Sequence, residues 1–348
     1  MLLYLHIPFC DSKCFYCSFN SYTYLLHLES EYFKAIIKQL DYELKKFKVE
    51  KNSIETIFIG GGTPSTVEPK YYEEFIKTIQ PYLKSYTEFT TEANPNSATK
   101  EWLKGMKELG VNRVSFGVQS FDSDKLRYLG RNHSKYDAIK AIETAYKIGI
   151  KNISLDLIYD TYLDNKELLQ KDLDLVFSLP INHLSSYSLT IEKATKFYHD
   201  KITPKDDETL SFWFVEEIKK HFPQYEISNF GTYHSKHNLG YWQLKDYIGI
   251  GSGAVGFLKD KRFYPSQNVQ TYIKNPLIQK TEQLSYKDIK TEKIFLGLRS
   301  KVGVSLDILD SKKVKLLHSE NKITIKNNRL YNNNFFLADE IALFLIED

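Results

Sequence analysis

Cysteine is scarce in this chain: its 348 residues include three, and none follows Cys17. So small and odd a count argues against a disulfide framework, and a chain of this length buries a hydrophobic core without one. Arginine is scarce too, limited to Arg113, Arg127, Arg131, Arg262, Arg299 and Arg329 against a large excess of lysine. No run of eighteen apolar residues exists, so no transmembrane helix is expected. A dominant charge is also lacking: the formal net charge of +3 is too small to imply a nucleic-acid partner. Met1 passes almost directly into a strand-like Leu2–Ile7, which leaves no room for a targeting segment ahead of it. A cytoplasmic protein is expected, with contact at the membrane periphery left open. At 42% hydrophobic and 26% charged, the chain reads as one large domain with an appendage, or two domains.

What cysteine there is lies within eight residues, in the run His6-Ile7-Pro8-Phe9-Cys10-Asp11-Ser12-Lys13-Cys14-Phe15-Tyr16-Cys17. C-x3-C-x2-C spacing in a tight loop aims three thiolates at one inorganic centre. Three thiolates on a four-iron cluster leave one iron without a protein ligand and open to a substrate. A zinc knuckle with His6 as fourth ligand is the other reading, although structural zinc sites usually draw on cysteine pairs set well apart. Three of the six arginines fall within nineteen residues, and a guanidinium retained in a lysine-rich chain marks a place where a planar fork grips a carboxylate.

The first two hundred residues alternate strand and helix. Strands are expected at residues 2–7, 55–60, 87–92, 112–118, 152–158 and 182–189, with helices near 30–47, 69–81, 99–109, 134–148 and 165–178. Six βα units of this kind form a parallel sheet, either doubly wound or curled into part of a barrel. Both architectures put chemistry at the carboxyl ends of the strands. The polar signals collect there: the cysteine loop after strand one, Gly60-Gly61-Gly62-Thr63-Pro64-Ser65 after strand two, Glu92-Ala93-Asn94-Pro95 at the end of strand three, Gln119 at the end of strand four and Asp156 in strand five.

These residues, with Gly117-Val118-Gln119-Ser120-Phe121, resemble the radical S-adenosylmethionine (SAM) enzymes of the oxygen-independent coproporphyrinogen III oxidase-like group. Gln224-Tyr225-Glu226-Ile227-Ser228-Asn229-Phe230 and His237-Asn238-Leu239-Gly240-Tyr241-Trp242 resemble the HemW branch, the haem chaperones. The resemblance runs from residue 4 to about 300. It implies a partial (β/α)6 radical SAM barrel and a [4Fe-4S] cluster on Cys10, Cys14 and Cys17. It also implies that SAM chelates the open iron and is cleaved by one electron to a 5′-deoxyadenosyl radical.

Gly61, Gly62 and Thr63 match the contact to the methionine amino group. Tyr4 and Tyr16 match positions near cluster and adenine, and Glu92 matches a carboxylate near the ribose. Gln119, Arg131 and Asp156 match pocket residues that hold a second SAM in the oxidases; the number of SAM molecules here stays open. His237 matches the histidine proposed as a haem iron ligand, and Tyr241 and Trp242 offer either a wall for a porphyrin or a closure of the core. Two features of the oxidases, an N-terminal extension and a further cysteine two residues after the third, are missing. The resemblance thus implies haem or porphyrin as cargo, haem-acceptor proteins such as respiratory enzymes, and an electron donor such as flavodoxin or ferredoxin. A homodimer is left open. The rival readings are a coproporphyrinogen III dehydrogenase and a zinc-binding interaction module.

Two departures stand out. Asp160-Thr161-Tyr162-Leu163 replaces a common Gly-Leu-Pro after strand five, so that loop should differ in shape, and Val255 stands where many relatives carry histidine. Gly251-Ser252-Gly253-Ala254-Val255-Gly256 satisfies G-x-G-x-x-G, but Phe257–Pro265 is basic, aromatic and ends in proline, so no helix follows to receive a pyrophosphate.

Beyond residue 285, helical patterns at 286–299 and in two pieces across 304–318 precede a hairpin over Asn327-Asn328 at 322–331. This resembles the family's winged-helix-like α+β module. The apolar, acidic helix from Ala338 argues for packing or substrate covering rather than DNA binding. The expected division is a radical SAM core at 1–210 and a chaperone or oxidase-like region at 211–348, winged-helix-like from about 285.

Overall fold

A computed structural model describes residues 1–347. Six strands, β1 (Leu2–Ile7), β2 (Ile54–Gly61), β3 (Leu83–Ala93), β4 (Arg113–Gln119), β5 (Asn152–Tyr159) and β6 (His183–Ser188), pair in chain order and in parallel. Between them run α1 (Glu29–Lys46), α2 (Glu73–Ile79), α3 (Lys100–Glu108), α4 (Ser123–Leu129), α5 (Lys135–Lys147) and α6 (Lys166–Ser178).

Side chains alternate across a strand, so each strand has two distinct faces. Leu3, Leu5, Ile57, Ile59, Val114, Phe116, Ile153 and Leu155 are buried on the helix-covered face. The opposite face carries His6, Glu92, Ser115, Ser154, Asp156 and His183. Parallel strands usually read as apolar on both faces; here the polar inner row marks the concave side as the working side.

The sheet does not close on itself. Helices α7 (Lys196–His199) and α8 (Glu208–Lys219) lead to β7 (Asn229–Gly231), antiparallel to β6. α9 (Lys236–Trp242) then leads to β8 (Tyr247–Ile250), which pairs in parallel with β1 on the other side. β9 (Gly256–Leu258), β10 (Lys261–Pro265) and, after α10 (Val269–Lys274), β11 (Gln279–Gln283) extend that edge, giving eleven strands. The architecture is therefore α/β with a mostly parallel, partly curled sheet. The Gly251–Gly256 run turns from β8 into β9 rather than into a helix. A Cβ on Gly249 would lie 2.1 Å from the Val255 carbonyl oxygen, so close backbone approach explains that glycine.

A second hydrophobic core joins α11 (Tyr286–Leu298), β12 (Val304–Ser305), α12 (Ser311–Ser319), β13 (Ile323–Lys326), β14 (Arg329–Asn332) and α13 (Ala338–Ile346). Asn327 and Asn328 both have positive φ, 50° and 57°, as a tight two-residue hairpin requires. The first of the two helical pieces expected at 304–318 is instead a short strand with a 3-10 turn, because Val304 pairs with Leu330. The helix expected at 69–81 is regular only at Glu73–Ile79, with 3-10 turns around Pro69 and Pro81.

Candidate active site

One cleft at the carboxyl ends of β1 to β5 is lined by all three cysteines and by Tyr16, Gly61, Gly62, Thr63, Glu92, Gln119, Arg131 and Asp156. The curl of the sheet brings loops from five strands to one place. The cysteine loop is held on both flanks. Cys10 N donates to Tyr22 O at 3.1 Å, and Phe15 N donates to Leu129 O at 3.1 Å. Gly130, with φ +73°, packs so closely on Phe15 that a Cβ would lie 2.7 Å from its ring.

Strand two supplies the floor. Gly62 N donates to Ile7 O and Thr63 N to Phe9 O, each at 2.7 Å, and a Cβ on Gly62 would stand 2.6 Å from Phe9 O and 3.0 Å from Cys10 Sγ. Only glycine lets this backbone lie beneath the cysteines. Thr63 Oγ1 donates to Cys10 Sγ at 3.4 Å and receives Asn94 Nδ2 at 3.2 Å. Arg131 Nη1 donates to Cys14 Sγ at 3.3 Å, while Nη2 donates to Asn94 Oδ1 at 2.9 Å and to Gly117 O. The buried Arg131 Nε has no partner, so one donor of the fork remains free.

Glu92 accepts from Gly61 N at 3.1 Å, and Asp156 accepts from Ser115 Oγ at 3.2 Å. Burial first, and the Asp156 carboxylate second, push the Glu92 carboxyl up to about 7. Burial likewise raises Asp156. Burial raises the Cys10 and Cys17 thiols too, eased by the Thr63 hydroxyl at Cys10 and by Lys13 at Cys17. A bound metal removes such protons by competing for the sulfur. Gln119, at the end of β4, lines the cleft with φ +68°.

Two expected residues lie elsewhere. Tyr4 points along the concave face and its hydroxyl meets His6 Nδ1 at 3.0 Å. His6 Nε2 meets Asn20 O at 2.8 Å. Both ring nitrogens of His6 are thus engaged, which leaves none for a zinc ion. Among the described residues, no three histidine, cysteine or carboxylate side chains converge on a single-ion site.

His237 sits at the amino ends of the strands, 1% exposed, with Nδ1 2.7 Å from Thr56 Oγ1. Thr56 precedes Gly61 by five residues on one strand, about 16 Å at strand rise, so His237 is remote from the cysteines. Burial and then Arg113 hold its imidazole down to about 3, which keeps it neutral. Its Nε2 is buried without a partner, so iron would reach that nitrogen only if α9 lifted. Glu88 holds α9 down, accepting from His237 N at 3.0 Å and from Lys236 N at 2.9 Å.

Three residues that the sequence left without a role hold the site together. Asn94, in Glu-Ala-Asn-Pro, ties Arg131 to Thr63, and the Asn-Pro pair after a strand was its signal. Asn20 binds the cysteine loop to Ser252 O at 3.1 Å and to Gln267 O at 2.9 Å. Phe15 wedges against Gly130, a contact with no local signature. After β5, Asp160 has φ +68°, a conformation also open to glycine, and its carboxylate accepts from Ser188 Oγ at 3.1 Å.

A three-thiol loop over the carboxyl ends of a curled parallel sheet, with a glycine floor beside it, defines a radical SAM protein, and residues 4–176 match the Radical SAM superfamily. The chain is 36% identical over 320 residues to the haem chaperone HemW of Bacillus subtilis (strain 168), covering 87% of this chain and 84% of that one. It is 36% identical over 265 residues to HemW of Escherichia coli (strain K12), covering 73% and 69%. The chain belongs to the HemW family. Its fold also matches that of coproporphyrinogen III oxidase (HemN) from Escherichia coli, with a TM-score of 0.81 over 99% of this chain and 89% of that one; at 18% identity this shows a shared fold alone. Radical SAM membership implies a [4Fe-4S] cluster and SAM. The residues present fit both: three thiols border one cleft with Gly61, Gly62 and Thr63, and the buried Arg131 Nε there has no partner. No helix among the described residues is long and apolar enough to cross a membrane.

Proposed function

We propose that this chain is a haem chaperone, which binds haem and hands it to acceptor proteins such as respiratory enzymes. The observation that carries this reading is similarity to HemW over 87% of the chain. In this reading Cys10, Cys14 and Cys17 hold the cluster, which when bound supplies an electron for SAM chemistry after reduction by a donor such as flavodoxin or ferredoxin. Gly61, Gly62 and Thr63 admit the methionine end of SAM close to the backbone, Glu92 faces the ribose, and Tyr16, Gln119, Arg131 and Asp156 shape the pocket. Residues 1–210 serve as the radical SAM core and 211–348 as the haem-handling region.

The test loads reconstituted protein with haem, adds a haem-free respiratory acceptor, and follows transfer optically. Coproporphyrinogen turnover with SAM and reductant is assayed on the same preparation. Transfer without turnover is expected; turnover without transfer would make the chain an oxidase of porphyrin synthesis. Cys14→Ala should abolish both the cluster's absorption and SAM cleavage, and 5′-deoxyadenosine from that variant would refute the cluster assignment.

A further inference from the structure

The cavities outside the cysteine cleft divide by charge. One of about 480 Å³ beside α9 is lined by Lys301 and Arg329, and one of about 580 Å³ between Tyr4 and Phe295 carries Arg262. A third, of about 880 Å³, lies between the ends of β5 and β6, the start of α8 and the turn at Phe335–Leu337 before α13. Asp160, Asp206, Asp207, Glu208 and Asp339 line it, and among the described residues no lysine, arginine or histidine does. On a chain of net charge +3, so acidic a groove is a local feature rather than a reflection of composition.

Part of that charge is already in use. Asp207 caps α8 by accepting from Leu210 N at 3.0 Å, Asp160 accepts from Ser188 Oγ at 3.1 Å, and Asp339 meets Arg299 Nη2 at 2.5 Å. Asp206 and Glu208 are exposed and enter no ion pair among the described residues, and the Asp339 side chain is still 62% exposed. Beside these carboxylates stand aromatic rings left to water: Phe212 of α8 is 52% exposed, Phe336 48% and Tyr187 of β6 42%. Phe212 and Phe336 lie 5.9 Å apart between ring centroids, so they form one patch across the groove. Exposed aromatics gathered in one place mark an interaction surface. An anion would be repelled here, whereas an ammonium or guanidinium gains from the carboxylates and from the ring faces. A protein segment that carries lysine or arginine together with apolar side chains matches both halves of this lining.

We propose that this groove receives a basic, partly apolar segment of the haem acceptor. The proposal rests on the haem-chaperone reading, which supplies the partner, while the lining supplies the chemistry of the segment. The groove opens at the carboxyl ends of β5 and β6, the end of the barrel that also holds the cysteine cleft, so a docked acceptor stands on the cluster side of the molecule.

The test uses the full-length, cluster-reconstituted protein and a short labelled peptide alternating lysine and phenylalanine, followed by fluorescence anisotropy, with a glutamate-for-lysine peptide as control. The lysine peptide should bind in the range of about 1–100 µM and weaken about tenfold between about 0.05 M and about 0.5 M salt, and the glutamate peptide should not bind. The double variant Asp206→Asn/Glu208→Gln should weaken binding about threefold to tenfold and Phe336→Ala about threefold, while Glu73→Gln/Glu74→Gln on the remote α2 leaves it unchanged. Bound peptide should also slow haem transfer to a haem-free acceptor with haem affinity unchanged. No peptide binding below about 1 mM, equal affinity in the groove and α2 variants, or bound peptide that leaves transfer untouched would overturn the groove and leave the chaperone standing. Wild type that binds the peptide but transfers no haem would overturn the chaperone reading, and with it the acceptor as the partner.

Discussion

At the scale of single residues, the buried ionisable groups carry the sharpest expectations. Glu226 is fully buried between the barrel and the C-terminal module, where its segment bridges to Ser300. Burial pushes its carboxyl up to about 7, only partly offset by the Ser228 N–H. Between its ordinary pKa and that value the folded protein holds more protons than the unfolded chain, so stability falls as pH rises through this window. The loss is roughly 3 kcal/mol. Glu226→Gln should therefore gain on wild type between pH 5 and pH 8 in urea denaturation, and equal pH slopes would contradict this. His237→Ala should cost about 2–4 kcal/mol through lost packing and the lost Thr56 bond, yet keep haem affinity within about threefold. A haem spectrum stripped of one axial ligand by that change would instead make His237 the ligand and require α9 to open.

At the scale of elements, α4 links the fold to the site. It runs from Asp122, whose carboxylate caps it, to Gly130, and the next residue is Arg131. Its Lys125 meets Asp164 at 2.6 Å with both side chains fully buried, pinning the loop after β5 to this helix. Removing one partner strands the other charge, so Lys125→Met should destabilise by about 3–5 kcal/mol and disorder Arg131. A loss below about 1 kcal/mol in chemical denaturation would show that the pair is not what holds α4.

The seven residues of α4 carry too little periodicity to read as a helix, although the cap and the glycine were both visible. The long elements were legible. The strands expected at 2–7 and 152–158 appear at Leu2–Ile7 and Asn152–Tyr159 because one face of each is strictly apolar. β3 begins at Leu83, earlier than expected, because Leu83 pairs with Ile54 of β2 across a register shift, while Ser85 and Tyr86 after it are exposed and carry no buried alternation. The cysteine loop was legible from composition alone. The remoteness of His237 from it was not, since no local pattern tells which end of a barrel a later helix will cap.

At the scale of the molecule, the two parts are joined by the Glu226–Ser300 β-bridge and by a pocket lined by Tyr4 of the barrel and by Phe295 and Leu296 of the module. Tyr4 also reaches the cysteine loop through His6 and Asn20. The cleft at the carboxyl ends of the strands and the seam between the two cores thus belong to one continuous scaffold. The most direct measurement is an anaerobic haem titration of the cluster-reconstituted wild-type protein, followed by optical spectroscopy. Saturable binding of one haem per chain with the cluster absorption retained is the expected result. Haem that adds without saturation, or that binds only when the cluster is lost, would contradict a chaperone whose cluster and cargo share one fold.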